Sequence, residues 1–189
     1  MLRKLLVPVA VLVVCASAAT VAYASNDHGT LSRVKKATAQ YRKLSVAEAA
    51  GYGQLVDVNG IACIDMPGMG AMGIHYVKGD LVGDGAIDAL TPEALVYEPA
   101  ENGHMHLVAL EYVVFQDAWD AHHGSPPSLF GQQFNFTAAG NRFGLPAYYS
   151  LHAWVFKHNP AGTFAMWNPD VSCTPGDGHE HRPGDDMDM

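Results

Sequence analysis

Apolar residues recur at steps of three and four near the start of the chain and at steps of two beyond it. Leu31, Val34, Ala37 or Thr38, Tyr41 and Leu44 form one stripe, with Arg33, Lys35, Lys36, Arg42 and Lys43 mostly outside it. That spacing follows one face of a 3.6-residue turn and predicts a helix over residues 30–44. Ser45-Val46-Ala47-Glu48 then reads as a capping box, in which hydroxyl and carboxylate each satisfy an orphan amide, and opens a second short helix ended by Gly51 and Gly53. From there the period changes. Residues 55–58 and 61–64 are short strand-like runs around Asn59-Gly60, a hairpin signal. Further strands are expected at 73–77, at the end of 92–99, at 107–115 and at 148–157, with Asn102-Gly103 turning a second hairpin. Residues 116–150 are loop-rich. The pattern predicts an α+β fold, with two N-terminal helices packed on an antiparallel sheet or partial β-barrel. Residues 25–173 read as a single domain, and 174–189, mostly Gly, Pro, Asp, His and Met, as a disordered tail.

The extreme N-terminus changes the setting. Met1-Leu2-Arg3-Lys4 is a short basic stretch, residues 5–14 are almost unbrokenly apolar, and Ala22-Tyr23-Ala24 offers small residues at a cleavage site. Residues 1–24 therefore read as a signal peptide, and the mature protein as secreted or extracytoplasmic with no integral membrane segment. The whole chain carries a formal charge of −8. Arg3 and Lys4 leave with the signal, so the mature domain is more acidic still, which argues against nucleic acid and against anionic lipid as partners. Cys15 also leaves, and Cys63 and Cys173 remain. In an oxidising compartment two cysteines most simply form one disulfide, worth about 4–5 kcal/mol across a loop this long. Two free thiols serving as metal ligands are the competing reading.

The candidate chemistry is metal binding. Met66, Met69, Met72 and His75 fall at a strict spacing of three among Gly, Ala and Pro. Thioether and imidazole are soft-to-borderline ligands that suit copper better than magnesium or calcium, although Met also fills gaps in cores. Met72 abuts the strand that carries His75, which favours it over Met66 and Met69. His75 and His152 each sit in an otherwise apolar strand, and Glu111 shares a face with Leu107, Ala109 and Val113. Buried polar groups of this kind are either paired in a network or bound to metal. With their strands side by side, two imidazoles and a carboxylate converge as a three-ligand set with room for water or substrate. His104 and His106 are secondary candidates, i and i+2 on one strand face. Strict alternation puts them on the face opposite Glu111 unless a bulge intervenes. His122-His123 and the tail's His179-Glu180-His181 collect metal only weakly from loops or disorder. A P-loop, a dinucleotide Gly fingerprint, a nucleophile elbow and a zincin helix are all missing from the sequence.

Several blocks resemble a group of small exported bacterial proteins of uncharacterised function. They are Met72-Gly73-Ile74-His75-Tyr76, the run 92–99, Leu129-Phe130-Gly131-Gln132, Leu151-His152-Ala153-Trp154, Asn159-Pro160-Ala161-Gly162 and the run 167–173. The resemblance covers most of the mature domain and implies single-domain architecture and export. His75 and His152 fall inside the blocks; Met66, Met69, His104 and His106 fall outside. The reading that results is a secreted metal-binding protein, copper first and zinc next, with His75, Glu111 and His152 as inner ligands and Met72 as a soft ligand. Its role is binding and delivery, or oxidation chemistry at an open coordination position. A different class is a module for a non-metal small molecule, with an aromatic pocket lined by Tyr76, Tyr97, Tyr112, Trp154 and Trp167 and with His75 as hydrogen-bond donor. A structural envelope protein without a site is the third.

Overall fold

The computed structural model describes residues 27–175, so the segment read as a signal peptide and the tail from Gly176 onward lie outside the described residues. Among the described residues, four α-helices, α1 (Asp27–Thr38), α2 (Leu44–Ala49), α3 (Gly79–Val82) and α4 (Gln116–Asp120), accompany nine strands. The strands are β1 (Gly53–Gln54), β2 (Cys63–Met66), β3 (Gly70–Val77), β4 (Ala94–Pro99), β5 (Met105–Phe115), β6 (Ser128–Leu129), β7 (Gln132–Gln133), β8 (Asn135–Thr137) and β9 (Tyr148–Ala153). The main sheet runs β1-β3-β4-β5-β9-β8, with β2 also paired to β3, and every pairing in it is antiparallel. The class is α+β, and the strand path is open rather than closed into a barrel.

Alternation sorts the central strands into two faces. Tyr76, Leu95, Tyr97, Leu110, Tyr112, Val114, Tyr149 and Leu151 join Val34, Ala47 and Tyr52 in the largest apolar cluster. Each such side chain contributes about 1.5–3 kcal/mol by leaving water, so this face carries most of the core's stabilisation. Polar tips are satisfied locally: the Tyr97 hydroxyl donates to the Tyr41 carbonyl at 2.6 Å and the Tyr52 hydroxyl to the Pro92 carbonyl at 2.7 Å. The opposite face has two smaller apolar clusters. Ala71, Val96, Val108, Ala109, Trp154 and Val171 form one. Val82, Val113 and Tyr148 form the other. His75, Glu111 and His152 share this second face.

Three local expectations are corrected. The expected long helix ends at Thr38, whose buried hydroxyl bonds back to the Val34 carbonyl at 2.8 Å, and residues 39–42 tighten into a 3-10 turn. The capping box does not form. Lys43, in extended conformation, is the N-cap of α2 without a side-chain bond, so Ser45 already lies inside the helix. Residues 55–58 and 61–64 do not pair with each other as a hairpin; β1 and β2 both pair with β3. Asn59-Gly60 instead turns a tight loop built on Asp57, whose Oδ1 accepts the Asn59 and Ile61 amides at 2.9 Å each.

After β9 the chain folds back over the end of β3. Ala71 and Asn168 exchange both backbone hydrogen bonds, at 3.0 and 3.1 Å. The approach is close enough that a Cβ on Gly70, at φ +89°, would fall 2.0 Å from the Asn168 carbonyl oxygen. Glu98 accepts the Ser172 amide at 3.1 Å and the Lys157 ammonium at 2.7 Å. Cys63 and Cys173 are disulfide-bonded across 110 residues of chain.

Candidate metal centre

Strand register builds the site. On one rung of the sheet Ala94, Glu111 and His152 stand side by side across β4, β5 and β9, and Val77 completes the rung on β3. His75 lies two residues back along β3, opposite Val96. β4 thus separates His75 from Glu111, but its residues on this face, Ala94 and Val96, are small, and the imidazole and carboxylate meet above them. His75 Nε2 lies 3.3 Å from Glu111 Oε2 and 3.3 Å from His152 Nε2, and His152 Nδ1 lies 3.5 Å from Glu111 Oε1. All three residues are buried. One ligand atom from each falls within 4.8 Å of the others, so the group could hold a metal ion.

The two 3.3 Å edges carry geometric information. Ligands bonded at about 2.0–2.1 Å around a tetrahedral ion stand about 3.3–3.4 Å apart, whereas octahedral neighbours stand nearer about 3.0 Å. The two edges at His75 Nε2 match the tetrahedral value, and one ligand atom from each of the three residues lies within 4.8 Å of the others. Burial sets the protonation. It pushes both histidines down to about 4; the Glu111 charge partly opposes this at His75. Burial also raises Glu111, against the opposing pull of His75 and of a Ser150 hydrogen bond. Near neutral pH both imidazoles are neutral, the form that ligates. His75 Nδ1 is buried without a hydrogen-bond partner among the described residues. In the metal-free molecule the tautomer protonated at Nε2 suits this, since Nδ1 is then a bare lone pair rather than an unsatisfied donor. The His152 ring stacks on Trp154, with centroids 6.1 Å apart and planes at 16°, which fixes its orientation.

Above the triad lies a cavity of about 670 Å³, open to solvent. His75, Glu111, His152 and Ser150 line it, together with Met66, Met72, Met166, Trp167 and Arg142. Met72 reaches the same cavity as His75 although they stand three positions apart, a spacing that regular alternation would send to opposite faces. The pairing of Ile64 with Gly73 and of Asp65 with Ala71 leaves Met72 as the extra residue of a bulge, and Gly73 takes φ +102° there. Met66 lines the cavity too but is 42% exposed, while Met69 is exposed and does not line it.

The remaining sequence candidates lie elsewhere. His104 and His106 are exposed. A bulge does occur, because Val96 pairs with Ala109 and Tyr97 with Leu107, leaving Val108 extra. His106 pairs with Glu98, four residues along β4 from the rung of Glu111, or about 13 Å. Distance, not facing, keeps it away. Tyr76, Tyr97 and Tyr112 do not line the cavity; alternation turns them into the large apolar cluster on the other face. Trp154 is not among the lining residues either, because it packs with Val96 and Val171 and donates its indole N–H to the Ala165 carbonyl at 2.6 Å. Trp167 does line it. His122 and His123 are exposed, the latter stacked on Trp119. His179 and His181 lie outside the described residues. Sequence reasoning missed Ser150, Arg142 and Met166. Ser150 was findable by alternation from His152; the other two come from loops that carry no period. Compared with family models, with curated proteins and with solved structures, the chain shows no match.

Proposed function

We propose that this chain is an exported single-domain metal-binding protein, with His75, Glu111 and His152 as its inner ligands, copper as the preferred ion and zinc as the next. The observation that carries this reading is the convergence of the three buried side chains within 4.8 Å of one another beside an open cavity. Two neutral imidazoles and a carboxylate suit both ions, and copper outranks zinc on nitrogen and oxygen donors. Met72, on the same cavity, adds a thioether and tilts the choice further. Three protein ligands leave a position open toward the cavity, which serves either delivery of the ion or chemistry on it. Export is supported by the Cys63–Cys173 disulfide and by the signal-like N-terminal sequence. The resemblance to small exported bacterial proteins belongs to the same proposal. Among the described residues no helix is long and apolar enough to cross a membrane.

The test is metal binding by the untagged chain in a His179→Ala/His181→Ala background, which silences the tail. The expected result is one ion per chain, lost in His75→Ala/His152→Ala. In Glu111→Gln, which keeps the shape and removes the carboxylate, affinity should weaken more than about a hundredfold, since even outer-shell losses cost ten- to a hundredfold. Equal copper and zinc binding by wild type and variants, with unchanged circular dichroism, overturns the reading. The cavity itself favours a second one, a small-molecule binding module in which the triad acts as a hydrogen-bonding floor.

A further inference from the structure

The cavity constrains what the open position would meet. Its walls are mainly apolar: Val77, Val82, Val113, Phe115, Phe143 and Leu145. Its volume, about 670 Å³, lies within the range that encloses a small organic molecule rather than a lone ion with its waters. Its polar lining consists of the triad and Ser150, with Gln54, Thr137, Asn141 and Tyr148 besides and Arg142 as the cation. Arg142 Nη2 donates to Asp57 Oδ2 at 2.9 Å, and Asp57 is itself held by the Asn59 and Ile61 amides. The guanidinium is thereby anchored at the cavity while it retains further donors, since it carries five N–H groups.

Charge balance then selects the ligand. A divalent ion on two neutral imidazoles and one carboxylate bears a net single positive charge. An uncompensated charge beside apolar walls is costly, and a monoanion in the open position removes it. Arg142, although paired with Asp57, still offers N–H donors to the same space. The walls require the rest of that anion to be apolar. Resting on the metal reading above, we propose that the cavity takes a monocarboxylate with an apolar chain or ring. Its carboxylate occupies the open position on the ion and its body lies against the Val, Phe and Leu wall.

The test uses the full chain, in the His179→Ala/His181→Ala background, loaded with Co(II), whose visible spectrum reports its fourth ligand, and titrated with octanoate, acetate and octanol. Octanoate should perturb the spectrum at a concentration at least about tenfold below acetate, one decade of affinity from the apolar wall. Octanol should leave the spectrum unchanged. Phe143→Asp, on a half-buried loop position, should load Co(II) as wild type does and lose the octanoate advantage over acetate. If Co(II) loads and octanoate leaves the spectrum unchanged, or binds no better than acetate, this proposal falls while the metal reading stands. An equal response to octanol overturns the choice of a carboxylate. Failure of Co(II), zinc and copper alike to load overturns both.

Discussion

Glu93, immediately before β4, is 2% exposed, and its Oε2 accepts the Val113 amide at 3.0 Å. Burial, reinforced by Asp84 and Asp88 and partly offset by the amide bond, raises its pKa from 4.5 to about 8. A group whose folded pKa is raised contributes fully to stability below its unfolded value and loses that contribution as pH rises through the folded one. Glutamine copies the neutral acid and does not titrate. Glu93→Gln should therefore match wild type within a few degrees near pH 4.5 and melt about 5 °C or more above it by pH 9, followed by thermal denaturation across that range. A constant difference at all pH values would show that Glu93 does not ionise in the fold. At this scale the sequence was readable where a polar residue interrupts an apolar strand. His75, Glu111 and His152 stand out for that reason. Glu93 precedes its strand, so no period marks it as buried. Residue type alone points Tyr76 and Tyr97 toward a pocket, whereas Tyr76 is adjacent to His75 and alternation sends it to the other face, into the large apolar cluster that also holds Tyr97.

Elements align these residues through two irregularities. The bulge at Met72 brings a thioether to the cavity of His75 and depends on Gly73, where an added Cβ would meet the Tyr97 carbonyl oxygen at 2.6 Å. Gly73→Ala combines that clash with a left-handed backbone and should cost on the order of 2–4 kcal/mol. Chemical denaturation should read this as a lower midpoint at unchanged slope; an unaltered midpoint would mean the bulge relaxes freely. The bulge at Val108 has a second use, because its carbonyl accepts the Phe156 and Lys157 amides at 3.3 and 3.1 Å. The long strands β3, β4, β5 and β9 were legible from alternation and their β-branched and aromatic content. The segment 53–66 was not. Its Asn59-Gly60 signal reports a local turn, and the same signal serves a hairpin or a loop closed on Asp57 equally well. Bulges leave no mark in the period they interrupt, since one extra residue simply exchanges the faces.

Residues 63 and 173 are tied by the Cys63–Cys173 disulfide, a pairing that the sequence implies once export is expected and Cys15 leaves with the signal. Cys63→Ser/Cys173→Ser, or reduction of the native protein, should lower stability by about 4–5 kcal/mol and the melting temperature by about 10 °C or more. Melts with and without reductant check this, and coincident curves would assign the constraint no role. The wrap of residues 159–173 over β3 was not legible, because it rests on single side chains such as Asn168, whose Nδ2 donates to the His158 carbonyl at 3.0 Å. That wrap also has a consequence in time. The chain is made from its N-terminus, so His75 and Glu111 exist before His152, which follows His75 by 77 residues, and the wall carrying Met166 and Trp167 comes last. No growing or clipped chain that stops short of these residues possesses the site. An ion held by the triad would enter only a finished molecule, and its presence would certify that the last strand and its cover had been laid down.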